Sequence, residues 1–313
     1  MHPKKNKGTD FTMWLSLAFL SALLLGGYEV FKKAALNNNA VIPVLLLNTL
    51  FCSLLFLPLI ILSYAAPELM RDTIFYVPHV DARTHLYIFG KSCIVLTSWL
   101  FAYFATKHLP ITIAGPIKAS QPILTLVGAL IIFGERLNIY QWIGVILAIV
   151  SFIMLSLSGK KEGINFKHNL WILFIVLATV TGAMSALYDK YLMSHNFDRM
   201  TVLVWYSYYQ FGLMALISLI LWYPRRKTST PFQWRNSIFF ISLFLVCADF
   251  VYFYALSYPD SMISIVSMIR RSSVVVSFIA GALIFKEKNI KDKSTDLILV
   301  LLGMLFLYIG TRA

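Results

Sequence analysis

Ten apolar segments, each about as long as a membrane crossing, dominate this chain of 313 residues. A transmembrane helix needs about 20 mostly apolar residues. The segments cover approximately 12–33, 40–64, 86–106, 111–133, 139–158, 169–192, 200–223, 236–256, 261–285 and 295–311. Only 13% of the residues are charged, whereas a soluble domain carries about 25%. The sequence therefore predicts an all-α integral membrane protein with ten transmembrane helices.

The second half of the chain repeats the first. A shift of 152 residues places the segment Ser261–Lys288 on Ile111–Arg136. The matched pairs are Gly115 with Ser267, Lys118 with Arg270, Gln121 with Ser273, Thr125 with Ser277 and Glu135 with Glu287. Segment one (LLLGGYEVFKKAAL) also resembles segment six (TGAMSALYDKYLM). These matches predict two five-helix repeats, at 1–160 and 161–313, within one membrane domain.

An odd number of helices in each half has a consequence for topology. The second half must enter the membrane upside down relative to the first, which gives an inverted-topology repeat. Secondary transporters are commonly built in this way, with the substrate site near the midplane between the halves. A tandem duplication with no role in transport is the alternative, and we consider it the weaker reading.

Small and polar residues form a stripe on each of the matched segments. Positions 115, 118, 121 and 125 are spaced by three, three and four residues, which places them on one helix face. The other segment carries the same pattern at Ser264, Ser267, Arg270, Ser273 and Ser277. We expect the two stripes to face each other across a polar cavity lined by helices one, three, four, six, eight and nine.

Three cations lie inside these apolar segments: Lys118, Arg270 and Arg271. A cation near the bilayer centre costs about 2.5–3.5 kcal/mol on insertion scales, so three unrelieved cations cost roughly 8–10 kcal/mol. They must face water, a partner or a ligand. Successive helical residues point about 100° apart, and Arg270 lies on the serine stripe. We therefore expect Arg270 to face the cavity and Arg271 to support it.

Ion pairing inside the protein is the competing interpretation of these cations. The candidate acids are Glu29, Asp189 and Asp249. Glu29 can pair with Lys33 at i,i+4 spacing, and Asp189 lies beside Lys190 near a helix end. Asp249 would then be the main carboxylate left for three cations. The sequence thus favours an anion-binding site over structural pairing.

Uncharged residues near the cations complete the predicted substrate site. Gln121, Thr125, Ser267 and Ser273 lie on the two stripes, and Tyr252 can donate a hydrogen bond to a ligand. Pro116 and Pro122 flank Lys118 and predict a kink with freed carbonyls, because proline cannot donate to the preceding turn. Gly26, Gly27 and Gly182 are more typical of close helix packing than of hinges.

Enzyme signatures are missing from the sequence. No HExxH, GxSxG or Walker motif occurs, and no paired-carboxylate cluster. The net charge of +13 comes from cations at the ends of apolar segments or inside them, which is not a nucleic-acid signature. We expect no enzymatic activity, no cofactor, no metal and no nucleic-acid partner. Transport would be driven by a gradient or by exchange.

The duplicated layout resembles the EamA-type drug/metabolite transporter superfamily. The resemblance covers essentially the whole chain. It rests on the segment ending ALIIFGERLN, its counterpart ALIFKEKN, and the glycine-bearing helix WIGVILAIVSFIMLSLSG. Members of this superfamily have ten helices in two inverted halves, usually with both termini in the cytoplasm. The count of Lys and Arg in the loops opposes that orientation under the positive-inside rule.

A narrower likeness is to the sugar-phosphate and nucleotide-sugar translocator branch. That branch has a lysine in helix four, in a run similar to IKASQP at 117–122, and a basic pair in helix nine, where this chain has Arg270 and Arg271. The likeness implies that Lys118 and this pair hold a phosphate. The pair here is Arg-Arg rather than lysine-first, and the branch's helix-eight tyrosine would fall near Cys247, so Tyr252 is a substitute for it.

The sequence therefore predicts a multi-pass transporter of a small metabolite, expected to carry a phosphate or carboxylate, working by alternating access in the cell membrane. Its partners would be that substrate and the lipid bilayer, and a homodimer is compatible with the plan. One alternative is an exporter of neutral or zwitterionic metabolites such as amino acids, with structural cations. The weaker alternative is a non-transporting membrane enzyme or scaffold.

Overall fold

A computed structural model describes residues 7–121, 123–125, 127–128, 138–160, 168–195, 197–258, 266, 269–287 and 290–310. These residues are mostly helical, and no strand occurs among them. The helices are α1 (Lys7–Leu36), α2 (Val41–Ala65), α3 (Pro67–Met70), α4 (Ala82–His108), α5 (Ile111–Ala119), α6 (Ile139–Lys160), α7 (Leu170–Ser194), α8 (Arg199–Ile217), α9 (Ser237–Leu256), α10 (Ser273–Leu283) and α11 (Ile290–Gly310). A π-helical turn, Ser218–Trp222, continues α8.

Six of the described helices are long and apolar enough to cross a membrane. They are α1, α2, α4, α7, α8 with its π-helical turn, and α9. They correspond to predicted segments one, two, three, six, seven and eight. Segments four and nine lie partly outside the described residues, so the structure supports the helical class without fixing the count at ten.

Side-chain caps fix where α4 and α7 begin. Asp81 accepts a hydrogen bond from the backbone N–H of Thr84 at 3.1 Å at the start of α4. Asn169 accepts one from Trp171 at 2.9 Å before α7. Such caps satisfy backbone donors that have no partner in the first turn. The hydrogen bonds from the Thr84 hydroxyl and backbone also lower the pKa of Asp81.

Helix packing follows the internal repeat. The largest interfaces join α1 with α9, α4 with α7, and α6 with α11. Smaller interfaces join α2 with α8 and α5 with α10. In the repeat, α1 corresponds to α7, α2 to α8, α4 to α9, α5 to α10 and α6 to α11. Under this exchange the α1–α9 contact becomes the α7–α4 contact, and the other three pairings are unchanged. Each helix of one half therefore packs against a helix of the other half in a two-fold manner.

Two adjacent glycines let α1 approach its neighbours closely. A Cβ added at Gly26 would lie 2.5 Å from the Cβ of Val276, and one added at Gly27 would lie 2.5 Å from the ring of Phe244. These distances are far below van der Waals contact, so any larger residue at either position would force α9 or α10 side chains away from α1. The predicted packing role of these glycines agrees with this geometry.

Replacing Gly26 by alanine is expected to destabilise the protein by about 1–3 kcal/mol, the usual cost of overpacking. The new methyl group would meet the Cβ of Val276, which cannot move without its backbone. Thermal unfolding of the detergent-solubilised protein measures this loss.

Gly212→Ala is the matched control, because a Cβ at Gly212 in α8 meets no atom within 4 Å. That change should be neutral or stabilising by up to about 1 kcal/mol through helix propensity. Equal melting temperatures for the two variants would contradict the close-packing role of Gly26.

Candidate functional site

A cavity of about 120 Å³ lies at the centre of the helix bundle. Its described walls come from α1, α4, α7 and α9, from Lys118 and Gln121 of predicted segment four, and from Arg270 and Arg271 of segment nine. These are the six segments that the sequence predicts around a cavity. Tyr206 of α8 adds a wall residue that the sequence interpretation does not include.

Charged side chains of both signs line this central cavity. The cations are Lys91, Lys118, Arg270 and Arg271, and the carboxylates are Glu29, Asp189 and Asp249. A further cation, Lys32, lies fully buried behind Glu29. With their formal charges, the five cations exceed the three carboxylates by two positive charges.

Glu29 joins two cations of the first half. One carboxylate oxygen pairs with the Nζ of Lys118, and the other lies 2.5 Å from the Nζ of Lys32. The expected pair with Lys33 is wrong. The Lys33 ammonium instead donates to the carbonyls of Thr106 at 2.9 Å and Leu109 at 2.6 Å, at the end of α4. Segment four lies close enough to α1 for Lys118, rather than Lys33, to pair with Glu29.

Asp249 pairs with Arg270 in the second half. The hydroxyl of Tyr206 donates a hydrogen bond to the other oxygen of Asp249 at 2.5 Å. The guanidinium carbon of Arg270 lies 4.2 Å from the centre of the Tyr252 ring, a cation–π distance. Tyr252 is thus in the cavity wall beside Arg270, and its ring rather than its hydroxyl makes this contact.

Lys91 is a charged site residue that the sequence analysis missed. It pairs with Asp189 of α7, and its side chain is only 3% exposed. The ammonium lies 4.9 Å from the ring centre of Tyr206 and 5.2 Å from that of Phe253. The repeat carried a signal for it, because Asp189 occupies the position of Glu29 in the matched segments and a buried carboxylate needs a cation opposite.

Arg271 differs from the other cations around the cavity. No carboxylate pairs with it among the residues that the structure describes, whereas Lys32, Lys91, Lys118 and Arg270 each have one. Its buried Nε, like that of Arg270, has no hydrogen-bond partner there. Arg271 also lines a second cavity, of about 20 Å³, together with Glu29, Lys118 and Ser273. The expectation that Asp249 is the main carboxylate for three cations is therefore wrong, since Lys118 and Arg270 each have one and Arg271 has none in this region.

The remaining predicted site residues fall into three groups. Gln121 lines the central cavity, and its side-chain oxygen lies 2.7 Å from where a Cβ of Gly182 would be. Thr125 is buried next to it and donates to the Gln121 carbonyl at 3.1 Å, away from the described walls of both cavities. Ser267 lies outside the described residues, as do Pro122 and Glu135.

Comparison with known proteins identifies the fold that holds this cavity. The model of the EamA-like transporter family matches residues 12–157 and 169–309, in two consecutive copies. The chain belongs to the EamA-like transporter family. It is therefore a multi-pass membrane protein of a family of small-molecule transporters, and the two copies fit an inverted repeat.

A solved structure described as "Crystal structure of protein" has the same fold as this EamA-like chain. The two share 12% sequence identity with a TM-score of 0.65, over 95% of this chain and 98% of the other. No curated protein matches the chain. The likeness to the solved structure supports the fold and carries no information about substrate.

The acidic segment ending of this EamA-like chain has a structural role. The Glu287 carboxylate accepts hydrogen bonds from the backbone N–H of Ile111 at 2.7 Å and of Thr112 at 3.0 Å, and from the Thr112 hydroxyl. It therefore caps the N-terminus of α5, where the helix dipole favours a negative charge. The end of segment nine is thus fastened to the start of segment four.

Replacing Lys91 alone by methionine is expected to destabilise the transporter by about 3–5 kcal/mol, because the Asp189 carboxylate would remain buried without a counter-ion. The double variant Lys91→Met with Asp189→Leu should recover most of that loss, since it removes both charges. Thermal unfolding in detergent measures both. A double variant as unstable as the single one would contradict the pairing.

Proposed function

We propose that this EamA-like chain is a secondary transporter that binds a small anionic metabolite in the central cavity, through a phosphate or carboxylate group. Ten helices in two inverted halves, 1–160 and 161–313, would rock about the cavity in the cell membrane, with both termini in the cytoplasm. Transport is driven by a gradient or by exchange and involves no catalytic step. The observation that carries this proposal is the positive charge surplus around the cavity.

Arg271 is the strongest support for an anionic ligand. A guanidinium cannot lose its charge in a protein, and an uncompensated cation inside a membrane costs several kcal/mol. An oxyanion entering the cavity would supply the missing counter-charge and could accept two parallel hydrogen bonds. Lys118 lines the same two cavities and is 20% exposed, so its ammonium can provide a further donor.

The size of the cavity limits what it can hold in this conformation. A dry cavity of about 150 Å³ accommodates a benzene molecule, and this cavity measures about 120 Å³. It therefore accommodates a charged head group or a metabolite of a few heavy atoms. A larger substrate would need the halves to separate further.

Different contacts hold the two ends of α4, which supports alternating access. Near its start, the Tyr188 hydroxyl donates to the Tyr87 carbonyl at 3.2 Å, and tyrosine rings pack around that point. At its end, charged contacts from Lys33 hold the last carbonyls of the helix. A rocking motion can break one set of contacts while the other persists.

Export of neutral or zwitterionic metabolites is the second candidate function. It is favoured by the carboxylates that Lys118 and Arg270 already have in Glu29 and Asp249. In that case the cations stabilise the bundle, and a ligand ammonium could approach the same acids. The two candidates differ in the charge of the ligands that stabilise the protein.

Arg271→Gln and Lys118→Gln are expected to weaken anion binding at least tenfold, because each removes a charged donor from the cavity. Thermal unfolding of the purified protein with phosphomonoesters and dicarboxylates measures this. A ligand at 100 times its Kd stabilises the wild-type protein by about 2.7 kcal/mol, and a tenfold weaker Kd in each variant should remove about half of that stabilisation.

Arg225→Gln is the matched control for these variants, because Arg225 lies exposed in the connection between α8 and α9. Its ligand-dependent stabilisation should equal that of the wild type. Stabilisation of the wild-type protein by neutral or zwitterionic metabolites and not by anions would favour the second candidate instead.

A further inference from the structure

Glu29 occupies the place where an anionic substrate would meet Lys118. It lines the central cavity and the smaller cavity together with Lys118 and Arg271. Its side chain is 13% exposed, so the carboxylate is in the cavity wall rather than deep in the packed core. Any anion that reaches Lys118 must therefore compete with this resident carboxylate.

The two contacts of Glu29 differ in kind. Lys32 lies on the same helix at i,i+3, is fully buried, and has no hydrogen-bond partner besides this ion pair among the described residues. Its ammonium is enclosed by the rings of Tyr28 at 4.5 Å and Tyr103 at 5.4 Å. The Lys118 contact instead joins α1 to segment four and faces the cavity. Breaking the Lys118 contact leaves Glu29 with a counter-ion, whereas breaking the Lys32 contact would leave a buried ammonium alone.

Asp249, unlike Glu29, has no second counter-ion among the described residues to remain with when its ion pair breaks. Asp249 pairs with one cation, Arg270, and its second oxygen is held by the Tyr206 hydroxyl at 2.5 Å. Displacing it from Arg270 would leave it with no cation among its described partners. Of the three carboxylates in the described cavity wall, Glu29 is the one with ion pairs to two cations.

We propose that Glu29 is a displaceable counter-ion: it pairs with Lys118 while the cavity is empty and yields this lysine to the substrate's anionic group, remaining on Lys32. This inference rests on the proposed anion transport. It assigns Glu29 two effects. The carboxylate lowers the apparent affinity for the substrate, and it offsets positive charge at Lys118, which favours closure of the empty carrier and its change of side.

Replacement of Glu29 by glutamine tests both effects in proteoliposomes, with radiolabelled inorganic phosphate and succinate as probes. Without the competing carboxylate, KM for exchange of a transported probe should fall about tenfold. Net uptake into vesicles free of the probe should fall about tenfold relative to exchange, because the empty carrier would have to close over one more uncompensated cation than the wild type does.

A second variant keeps the test valid if Glu29→Gln fails to fold. The double variant Glu29→Gln with Lys32→Met removes the buried ammonium that the single variant leaves unpaired, and methionine suits the surrounding tyrosine rings. It still frees Lys118, so the same two changes are expected. Glu68→Gln is the matched control, because the Glu68 side chain is exposed on the short helix α3, and it should leave both quantities at the wild-type values.

The outcomes separate this inference from the proposed function. If the wild type exchanges a probe, and the folded Glu29 variants show the wild-type KM and the wild-type ratio of net uptake to exchange, Glu29 is not a displaceable counter-ion and anion transport stands. If the wild type transports neither probe, the result counts against anion transport and against the inference together. A lower KM with a reduced ratio supports the inference.

Discussion

The charges around the central cavity are the constraint on which the rest of this structure depends. Within the apolar bundle, Lys118 pairs with Glu29, Lys91 with Asp189, and Arg270 with Asp249. The first and last of these pairs each lie within one half, and the Lys91–Asp189 pair connects the two halves. Arg271 remains without a carboxylate in the described region. The pairing therefore departs from the repeat. Glu29 and Asp189 occupy matching positions, as do Lys118 and Arg270, but Asp189 pairs with Lys91 rather than with Arg270.

Backbone packing follows the repeat more closely than the charges do. The α1–α9 and α4–α7 interfaces exchange under the two-fold relation, and glycines at 26 and 27 hold α1 against its neighbours. Glu287 then fastens the end of segment nine to the first turn of α5. A closely packed frame that follows the repeat thus surrounds a cavity whose charge pairs do not follow it.

The sequence predicted the frame better than the contacts within it. Hydropathy and the repeat predicted the helical class and the segments around the cavity, because membrane insertion imposes length and apolarity on every segment. The family was predicted from the resemblance of the duplicated layout and of the segment endings. Partner choice could not be predicted, because it depends on how helices far apart in sequence approach one another. Glu29 illustrates this: local spacing suggested Lys33, whereas Lys118 and Lys32 are its partners. Lys91 was missed because its role depends on the ion pair with Asp189, which lies on a helix of the other half.

Counterflow measures directly whether anions cross the membrane through the positively charged cavity. Proteoliposomes containing the purified protein would be loaded with a mixed pool of metabolites, and the exchanged solutes would be identified by mass spectrometry. Solutes bearing phosphate or carboxylate groups without a compensating ammonium are expected to exchange, and liposomes without the protein should exchange none of them. Exchange of neutral or zwitterionic solutes alone would contradict anion transport.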